Sequence, residues 1–427
     1  MADKKKTAAL HNLGCKVNAY ETEKMSALLS KSGYKIVPFT EKADLYVINT
    51  CSVTAIADKK SRQMIHRARR LNPDAMIIAA GCYVQQKDIT PQTLGCDIII
   101  GNDEKSRLLE IIEEYQKDNS LNISRHDINH AGEEYEDWSH LSGHGFAASR
   151  TRAFIKIQDG CDQFCSYCRI PYVRGRTRSR SLDQVAAEIR HTADNSCKEV
   201  VLTGIHLSSY NDNGNRLIDL CEAIEASTPI MRLRLSSLEP TIVTRDFAKR
   251  LSSLKCICPH FHLSLQSGCD TVIKRMNRSY TTADFADGVS LLREYFKDPA
   301  ITTDVIAGFP GESEEEFLQG KEFLKEIGFA QMHVFPYSVR EGTRAASMDG
   351  QLSNSIKTSR AYELIELGAQ MSKEYRALWR GRSAEVLFEE QENINGKLLW
   401  SGFTREYIRV YSDSKDFLGN TIRKEIL

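Results

Sequence analysis

The sequence lacks a membrane-length apolar run, an excess of charge of either sign and a secretory signal. The 427 residues contain no apolar run of about 18 residues, the length that crosses a bilayer. Lysine plus arginine and aspartate plus glutamate both number 57, so attraction to nucleic acid must come from local basic patches. The start, MADKKKTAALHNLG, is basic but has no long apolar core and no small-residue cleavage site. We therefore expect a cytoplasmic protein without membrane contact.

Hydrolytic constellations are also missing, whereas cysteine is plentiful. We find no convincing Ser–His–Asp or paired-carboxylate pattern in the sequence. The chain has 12 cysteines. In a chain of this size without a signal, they indicate metal or redox chemistry in a reducing compartment, not disulfides. The length allows about two to four domains.

The segment GCDQFCSYCRIPYVRGR, residues 160–176, carries the densest cysteine pattern. Cys161, Cys165 and Cys168 are spaced C-x-x-x-C-x-x-C. Three thiolates can bind three irons of a four-iron cluster, which leaves the fourth iron open to a substrate or cofactor. Tyr167 would place an aromatic face beside that open position. The alternative is a zinc loop or three unrelated thiols, but no cysteine or histidine follows at the spacing of a zinc knuckle.

A second set of three cysteines follows strand-like segments. The apolar runs TAALHNLG, DLYVINT and AMIIAAG directly precede Cys15, Cys51 and Cys82. These runs predict buried strands, and residues 19–31 and 57–71 between them predict helices. In such a parallel sheet all three cysteines lie at the carboxyl edge and form a second metal site. The alternative is three buried core thiols. Cys96 precedes its strand, so we expect it at the opposite edge in a structural role.

Two basic segments flank these cysteines. KKSRQMIHRARR (59–70) has six lysines and arginines, and RIPYVRGRTRSR (169–180) has five arginines; neither contains an acid. The alternatives are a solvated helix face for the first and arginines paired with nearby carboxylates for the second. The neighbouring metal sites favour phosphate contacts. The predicted RNA-binding residues are Arg67, Arg69, Arg70, Arg174, Arg176 and Arg178.

The central part predicts an open barrel. Six strand-like runs alternate with helical segments, and they cover residues 153–158, 199–205, 232–238, 260–266, 301–308 and 331–337. Six βα units make three quarters of the closed eightfold barrel, which carries its chemistry at the carboxyl ends of its strands. Polar residues at strand ends are more often turns or caps. Conditional on the cysteine loop, the candidates for cofactor binding at that edge are Gly204, Ser237, Glu239, Gln266 and Asp304.

The remaining segments complete three predicted domains, 1–116, 147–375 and 376–427, with a linker at 117–146. Four linker histidines are expected to be surface residues of an irregular loop: His126, His130, His140 and His144. Residues 355–380 predict a helix. Four short strands at 383–390, 397–404, 407–412 and 421–427 predict a small β-barrel. Such a barrel often binds RNA, although this one has no net positive charge and a structural cap is the alternative.

The whole chain resembles the methylthiotransferase family of radical S-adenosylmethionine (SAM) enzymes. The matching segments are GCKVNAYETE, INTCSVT, AGCYVQ, GCDQFCSYCRIPYVRGR, LTGIHLSSY, RLSSLEP, HLSLQSGCD and TTDVIAGFPGESEEEF. The resemblance implies an α/β fold: an N-terminal parallel-sheet domain, a central open (βα)6 radical SAM barrel and a small C-terminal TRAM-like β-barrel. It also implies two 4Fe-4S clusters, a radical SAM cluster on Cys161, Cys165 and Cys168 and an auxiliary cluster on Cys15, Cys51 and Cys82.

The family's reaction inserts sulfur at an unactivated C–H bond and caps it with methyl. An electron from the first cluster cleaves SAM to a 5′-deoxyadenosyl radical that abstracts the hydrogen, and a second SAM supplies the methyl group. The resemblance further implies tRNA, through its anticodon arm, as partner. It also implies an electron donor such as flavodoxin or ferredoxin, and leaves the sulfur donor open.

Three substrate classes occur in this family. FCSYCRIPYVRGRTRSR looks most like the branch that converts N6-threonylcarbamoyladenosine at position 37 of tRNA to its 2-methylthio derivative. The alternatives within the family are N6-isopentenyladenosine in tRNA and an aspartate of a ribosomal protein. An alternative of a different class is a non-catalytic iron–sulfur or zinc protein that binds RNA through the two basic segments.

Overall fold

The computed structural model describes residues 5–118, 122–125 and 151–427. They form an N-terminal α/β unit, a central barrel and a C-terminal antiparallel sheet. The four linker histidines at 126, 130, 140 and 144 lie outside the described residues. Within the described ranges, no helix combines the length and the apolar character needed to cross a membrane.

The N-terminal unit is built on a six-stranded parallel sheet with the order β2-β1-β3-β4-β5-β6. Its strands are β1 (Thr7–Asn12), β2 (Lys35–Ile36), β3 (Leu45–Thr50), β4 (Met76–Gly81), β5 (Ile98–Ile100) and β6 (Ile123–Ser124). Its helices are α1 (Lys16–Lys31), α2 (Ala55–Leu71), α3 (Pro91–Leu94) and α4 (Leu108–Asp118). Every residue of β3 is buried, as expected for a parallel sheet covered on both faces. The sheet continues into the predicted linker, because β6 pairs with β5.

The barrel consists of two three-stranded parallel sheets that continue into each other. The six main strands are β7 (Arg152–Lys156), β10 (Glu199–Thr203), β13 (Arg232–Leu235), β14 (His260–His262), β15 (Ala300–Ala307) and β16 (Gln331–Pro336). The sheets are β13-β10-β7 and β14-β15-β16, and parallel bridges from Leu233 to Ile257 and from Leu238 to Leu263 connect them. The expected open six-stranded barrel is confirmed, with β7 and β16 at its edges.

Helices and short strands surround this barrel. The helices are α5 (Ile170–Arg174), α6 (Leu182–Asp194), α7 (Leu217–Ser227), α8 (Arg245–Ser253), α9 (Asp270–Arg275), α10 (Thr282–Tyr295), α11 (Glu314–Ile327) and α12 (Asn354–Ala377). The short strands are β8 (Gln158–Asp159), β9 (Arg178–Ser179), β11 (Asn211–Asp212) and β12 (Asn215–Arg216). Helix α1 of the N-terminal unit packs along the edge strand β7, so the edge that carries Cys15 adjoins the open side of the barrel.

The C-terminal segment forms a four-stranded antiparallel sheet with the order β19-β18-β17-β20. Its strands are β17 (Ser383–Ile394), β18 (Lys397–Thr404), β19 (Arg409–Ser412) and β20 (Thr421–Ile426). The β17–β18 hairpin turns at Asn395-Gly396, both with positive φ, as this turn type requires. A register shift between Phe388 and Glu390 bends β17.

Barrel arginines fasten this sheet to the barrel. Glu199 at the start of β10 is buried and contacts Arg152, Arg232 and Arg234. Arg232 also donates to the carbonyl oxygens of Phe403 at 3.0 Å and Glu385 at 2.7 Å. Arg234 donates to the Arg405 carbonyl at 3.0 Å. The C-terminal sheet is therefore attached at the amino ends of the barrel strands.

Candidate active site

The cysteine loop is closed by contacts between its two ends. Gly160 has φ +70°, and a Cβ there would lie 1.8 Å from the carbonyl oxygen of Arg176. The amide of Cys161 donates to the Gly175 carbonyl at 3.0 Å. These contacts require glycine at residue 160 and bring residues 174–176 back beside the first cysteine.

The three loop thiols lie within electrostatic range of one another. Burial raises the pKa of Cys168 to about 12, and negative charge at Cys165 and Cys161 contributes to the rise. Arg278 donates from Nη1 to Cys165 Sγ at 3.1 Å and pairs with Glu239 at 2.8 Å. A guanidinium at a thiol sulfur stabilises the thiolate form that binds metal. Sequence reasoning missed Arg278, which lies more than 100 residues after the loop.

Two buried polar atoms beside Arg278 are left unpaired. Within the described part of the chain, Glu239 Oε2 and His206 Nε2 have no hydrogen-bond partner, and His206 Nε2 lies 3.7 Å from Glu239 Oε1, beyond hydrogen-bond distance. Burial raises the pKa of Glu239, and burial together with Arg278 lowers the pKa of His206 to about 4. Unsatisfied buried groups are costly, so this pair fits a bound ligand that carries polar groups of its own.

The other residues predicted to bind the cofactor differ in their burial and in what they contact. Tyr167 is half-buried beside the loop cysteines and packs edge-on against Phe309, with ring centroids 6.4 Å apart. Gly204 is needed for packing, because a Cβ there would lie 2.8 Å from Gln158 Oε1. Ser237 is exposed. Gln266 has φ +66°, and its backbone pairs with β15.

Asp304, predicted to bind the cofactor, lies beside two histidines of the neighbouring strands. Its carboxylate lies between His262, at 3.4 Å, and His333, at 3.9 Å. Asp304 is in the middle of β15. Desolvation lowers the pKa of Lys16, and Cys15 and Asp304 oppose that change. Asp304 thus faces the N-terminal unit across the open side of the barrel.

The N-terminal cysteines converge at the carboxyl edge of their sheet. Gly14 and Gly81 precede Cys15 and Cys82 with φ of +96° and +98°, and a Cβ on Gly14 would lie 2.6 Å from Cys51 Sγ. Burial raises the pKa of Cys51 to about 12, and negative charge at Cys82 and Cys15 contributes. All three thiols are therefore neighbours.

Arg174 and Arg178, predicted to bind RNA, have acidic partners within the protein. Arg174 is fully buried, and its Nη1 donates to Glu21 at 2.9 Å and to Asp159 at 3.0 Å. Arg178 is nearly buried and donates to Asp103 at 3.1 Å. The predicted RNA contacts at these two positions are wrong. The carboxylates that pair with these arginines belong to the N-terminal unit and to β8. The sequence of the arginine run alone therefore could not predict the pairing.

Arg69 also has a structural role in place of the predicted RNA contact. Its guanidinium donates to Asp97 at 2.8 Å and to the Pro73 and Ala75 carbonyls, each at 2.9 Å. Arg67 and Arg70 are exposed and line a cavity of about 440 Å³. The Arg176 side chain is 73% exposed and pairs with Asp162 at 3.0 Å.

The arrangement fits iron–sulfur clusters better than single metal ions. Among the described residues, no group of three His, Cys, Asp or Glu side chains is placed to hold one metal ion. A zinc ion needs all its ligands within about 2.0–2.3 Å of one point. A four-iron cluster binds each thiolate through a different iron, so its ligands lie further apart. Guanidinium N–H groups within hydrogen-bond distance of Cys165 and Cys82 stabilise the thiolates that such a cluster needs.

Comparisons with known proteins agree with this geometry. Residues 7–101 match the model described as "Uncharacterized protein family UPF0004", and residues 155–324 match the Radical SAM superfamily. The structure of the radical SAM methyltransferase TsrM from Kitasatospora setae superposes with a TM-score of 0.59 at 16% identity. It covers 80% of this chain and 77% of its own. That likeness shows the fold.

Relatives in sequence span nearly the whole chain. The threonylcarbamoyladenosine tRNA methylthiotransferase MtaB of Bacillus subtilis is 39% identical, over 99% of this chain and 94% of the relative. A tRNA-2-methylthio-N(6)-dimethylallyladenosine synthase of Thermodesulfovibrio yellowstonii is 32% identical, over 95% and 93%. The chain belongs to the radical SAM methylthiotransferase family and is most similar to its MtaB branch.

Proposed function

We propose that this protein is the radical SAM methylthiotransferase that converts N6-threonylcarbamoyladenosine at position 37 of tRNA to its 2-methylthio derivative. The observation that carries this proposal is the pair of cysteine triads in a chain related to MtaB over nearly its full length. Two 4Fe-4S clusters and SAM, when bound, supply the radical and sulfur-transfer chemistry. The protein's residues hold these groups and the tRNA.

Each triad holds one cluster in this proposal. Cys161, Cys165 and Cys168 hold the radical SAM cluster. Cys15, Cys51 and Cys82 hold the auxiliary cluster. Tyr167 and the unpaired atoms of Glu239 and His206 support a SAM site beside the loop, because they offer an aromatic face and free polar groups. Arg278 orients Glu239 and neutralises its charge.

The inner face of the barrel supports a polar substituent on the adenosine. His262, Asp304 and His333 lie together on β14, β15 and β16, and the rings of the two histidines are 5.9 Å apart. Two residues further along, Ile306 of β15 lies opposite Phe335 of β16, and Phe335 is 46% exposed. A threonylcarbamoyl group offers a carboxylate, a hydroxyl and amides to this polar cluster. An isopentenyl group would cover these polar side chains without offering them a hydrogen bond, at a cost in affinity.

The partners follow from this substrate. The base at position 37 lies in the single-stranded anticodon loop, where it can be unstacked without opening a duplex. We propose that the exposed Arg67, Arg70 and Arg176 contact phosphates of the anticodon arm. We also propose a small redox protein such as flavodoxin or ferredoxin as electron donor, and the cytoplasm as the location.

Product analysis tests the proposal. Anaerobically reconstituted protein, SAM and a reductant are incubated with tRNA that carries either threonylcarbamoyladenosine or isopentenyladenosine. Mass spectrometry of the nucleosides is expected to show methylthiolation of the first substrate and little or none of the second. The matched control is the Cys15→Ala, Cys51→Ala, Cys82→Ala variant, which should form no methylthio product. Modification of the isopentenyl substrate alone would contradict the substrate assignment.

The arginines of α2 provide a second test. Changing Arg67 and Arg70 together to alanine is expected to weaken tRNA binding and to reduce its salt dependence. The slope of log K against log salt should fall by roughly 0.7 to 0.9 for each phosphate that the protein no longer neutralises. The matched control is Arg69→Ala, which should lower thermal stability because Asp97 loses its partner, with the slope unchanged. Equal slopes in the double variant and the wild type would show that Arg67 and Arg70 contact solvent and not phosphates.

A further inference from the structure

Arg174 connects the two cysteine triads physically. It follows Cys168 by six residues, in the single-turn helix α5, yet its Nε donates to Sγ of Cys82 in the other triad at 3.3 Å. Asn102 donates to the same sulfur at 3.7 Å and to the carbonyl of Val173 at 2.5 Å. The sulfur of Cys82 therefore accepts from two N–H donors. One belongs to Arg174 of the radical SAM loop, and the other belongs to Asn102, which is bonded to that loop through Val173.

The same guanidinium also reaches the segments that carry the other two N-terminal cysteines. Its Nη2 donates to Asn18 Oδ1 at 2.6 Å. The amide of Asn18 in turn donates to the carbonyls of Leu13 at 2.7 Å and Thr50 at 2.9 Å, just before Cys15 and Cys51. One residue of the radical SAM loop thus supports all three corners of the N-terminal triad.

The charges around Arg174 leave a positive excess. Glu21 and Asp159 are its carboxylate partners, and Lys105 and Lys156 bind Glu21 as well. Burial opposes ionisation of Glu21, but Arg174 and the two lysines hold its pKa well below the usual range. Arg178 adjoins Asp159 as well and pairs with Asp103, so four cations face three carboxylates, and the excess charge lies beside Cys82. Negative charge on a thiolate-bound cluster would balance it.

We infer that Arg174 is a positioning residue that sets the reduction potential of the auxiliary cluster from within the radical SAM loop. Hydrogen bonds to ligand sulfurs and local net charge are what a protein uses to adjust such potentials. An N–H donor and a positive charge at Cys82 favour the reduced, more negative cluster. The inference rests on the proposed assignment of Cys15, Cys51 and Cys82 to that cluster.

The test is a redox titration of the auxiliary cluster, followed by electron paramagnetic resonance. Full-length protein carrying Cys161→Ala, Cys165→Ala and Cys168→Ala is used, so that one cluster contributes the signal. Arg174→Gln removes donor and charge, and Arg174→Lys keeps the charge but loses the Nε donor. The expected order of potentials, from highest to lowest, is unchanged Arg174, then Arg174→Lys, then Arg174→Gln. At a fixed applied potential, Arg174→Gln should lower the ratio of reduced to oxidised cluster at least tenfold. For one electron this corresponds to a fall of about 59 mV in the reduction potential.

Arg176→Gln is the matched control, because Arg176 is in the same loop but its side chain is 73% exposed. It should leave the potential unchanged. If Arg174→Gln holds no auxiliary cluster, the comparison is made with Arg174→Lys, whose reduction potential should be lower than that of the protein with Arg174 unchanged. Equal potentials in all variants would overturn this inference alone. A protein that binds no iron once the loop cysteines are removed would overturn the cluster assignment, and with it the inference.

Discussion

Replacing Cys161, Cys165 and Cys168 together with alanine is expected to remove half of the bound iron and all methylthiolation. Two four-iron clusters give about eight irons per chain, so the triple variant should keep about four. The N-terminal triad is formed by a different unit, at the carboxyl ends of β1, β3 and β4, and should keep its cluster. Iron analysis after anaerobic reconstitution, together with nucleoside mass spectrometry, measures both effects.

Single changes at Cys96 and Cys197 are the matched controls for this experiment. Both are buried thiols outside the two triads, and Cys96 lies just before β5 at the opposite edge of its sheet. Cys96→Ala and Cys197→Ala should retain the full iron content and product formation. Retention of all the iron by the triple variant would show that the loop binds no cluster. Loss of one cluster from Cys96→Ala would contradict the strand-edge assignment of the N-terminal site.

Adding one methyl group at Gly160 is expected to abolish the radical SAM cluster while the auxiliary cluster remains. A Cβ at this position would lie 1.8 Å from the carbonyl oxygen of Arg176, and 2.8 Å from that of Gly175, which accepts from the Cys161 amide. Neither backbone group can move without opening the loop. The positive φ adds a strain of about 1–3 kcal/mol. Gly160→Ala should therefore hold about half of the wild-type iron, by the count of two clusters.

Gly381→Ala is the matched control for this prediction. Gly381 has φ +72°, close to that of Gly160, but no described atom outside its own neighbours lies within 4 Å of a Cβ built there. This variant should show only the backbone strain, as a modest fall in the melting temperature, with full iron content. A similar loss of iron in both variants would attribute the effect to general destabilisation, and full iron in Gly160→Ala would mean that the loop tolerates a wider opening.

The convergence of the cysteines was predictable because short sequence patterns determine it. An apolar run that ends in glycine or threonine and then cysteine places the thiol at the carboxyl edge of a parallel sheet, as at Cys15, Cys51 and Cys82. The loop cysteines lie within eight residues of one another, so their proximity needs no tertiary information. The alternation of strand-like runs and helical segments likewise identified the open barrel.

The arginines show where this reasoning fails. The run RIPYVRGRTRSR contains no acid itself, and so predicts free positive charge. In the folded protein, Arg174 meets Glu21, which is 153 residues away, and Arg178 meets Asp103, which is 75 residues away. Arg278 was missed for the same reason, because its partner Cys165 is 113 residues distant. Pairing across domains depends on how the units pack, which local patterns do not contain.

The bonds from Arg232 and Arg234 to the C-terminal sheet do not depend on which side chains the sheet exposes. Arg232 and Arg234 hold the sheet through the main-chain carbonyls of Glu385, Phe403 and Arg405, and every amino acid supplies such a carbonyl. Side chains on the outer face, such as Leu398 and Phe417, take no part in these bonds and are exposed. These exposed side chains can therefore change without loss of the bonds that attach the sheet to the barrel.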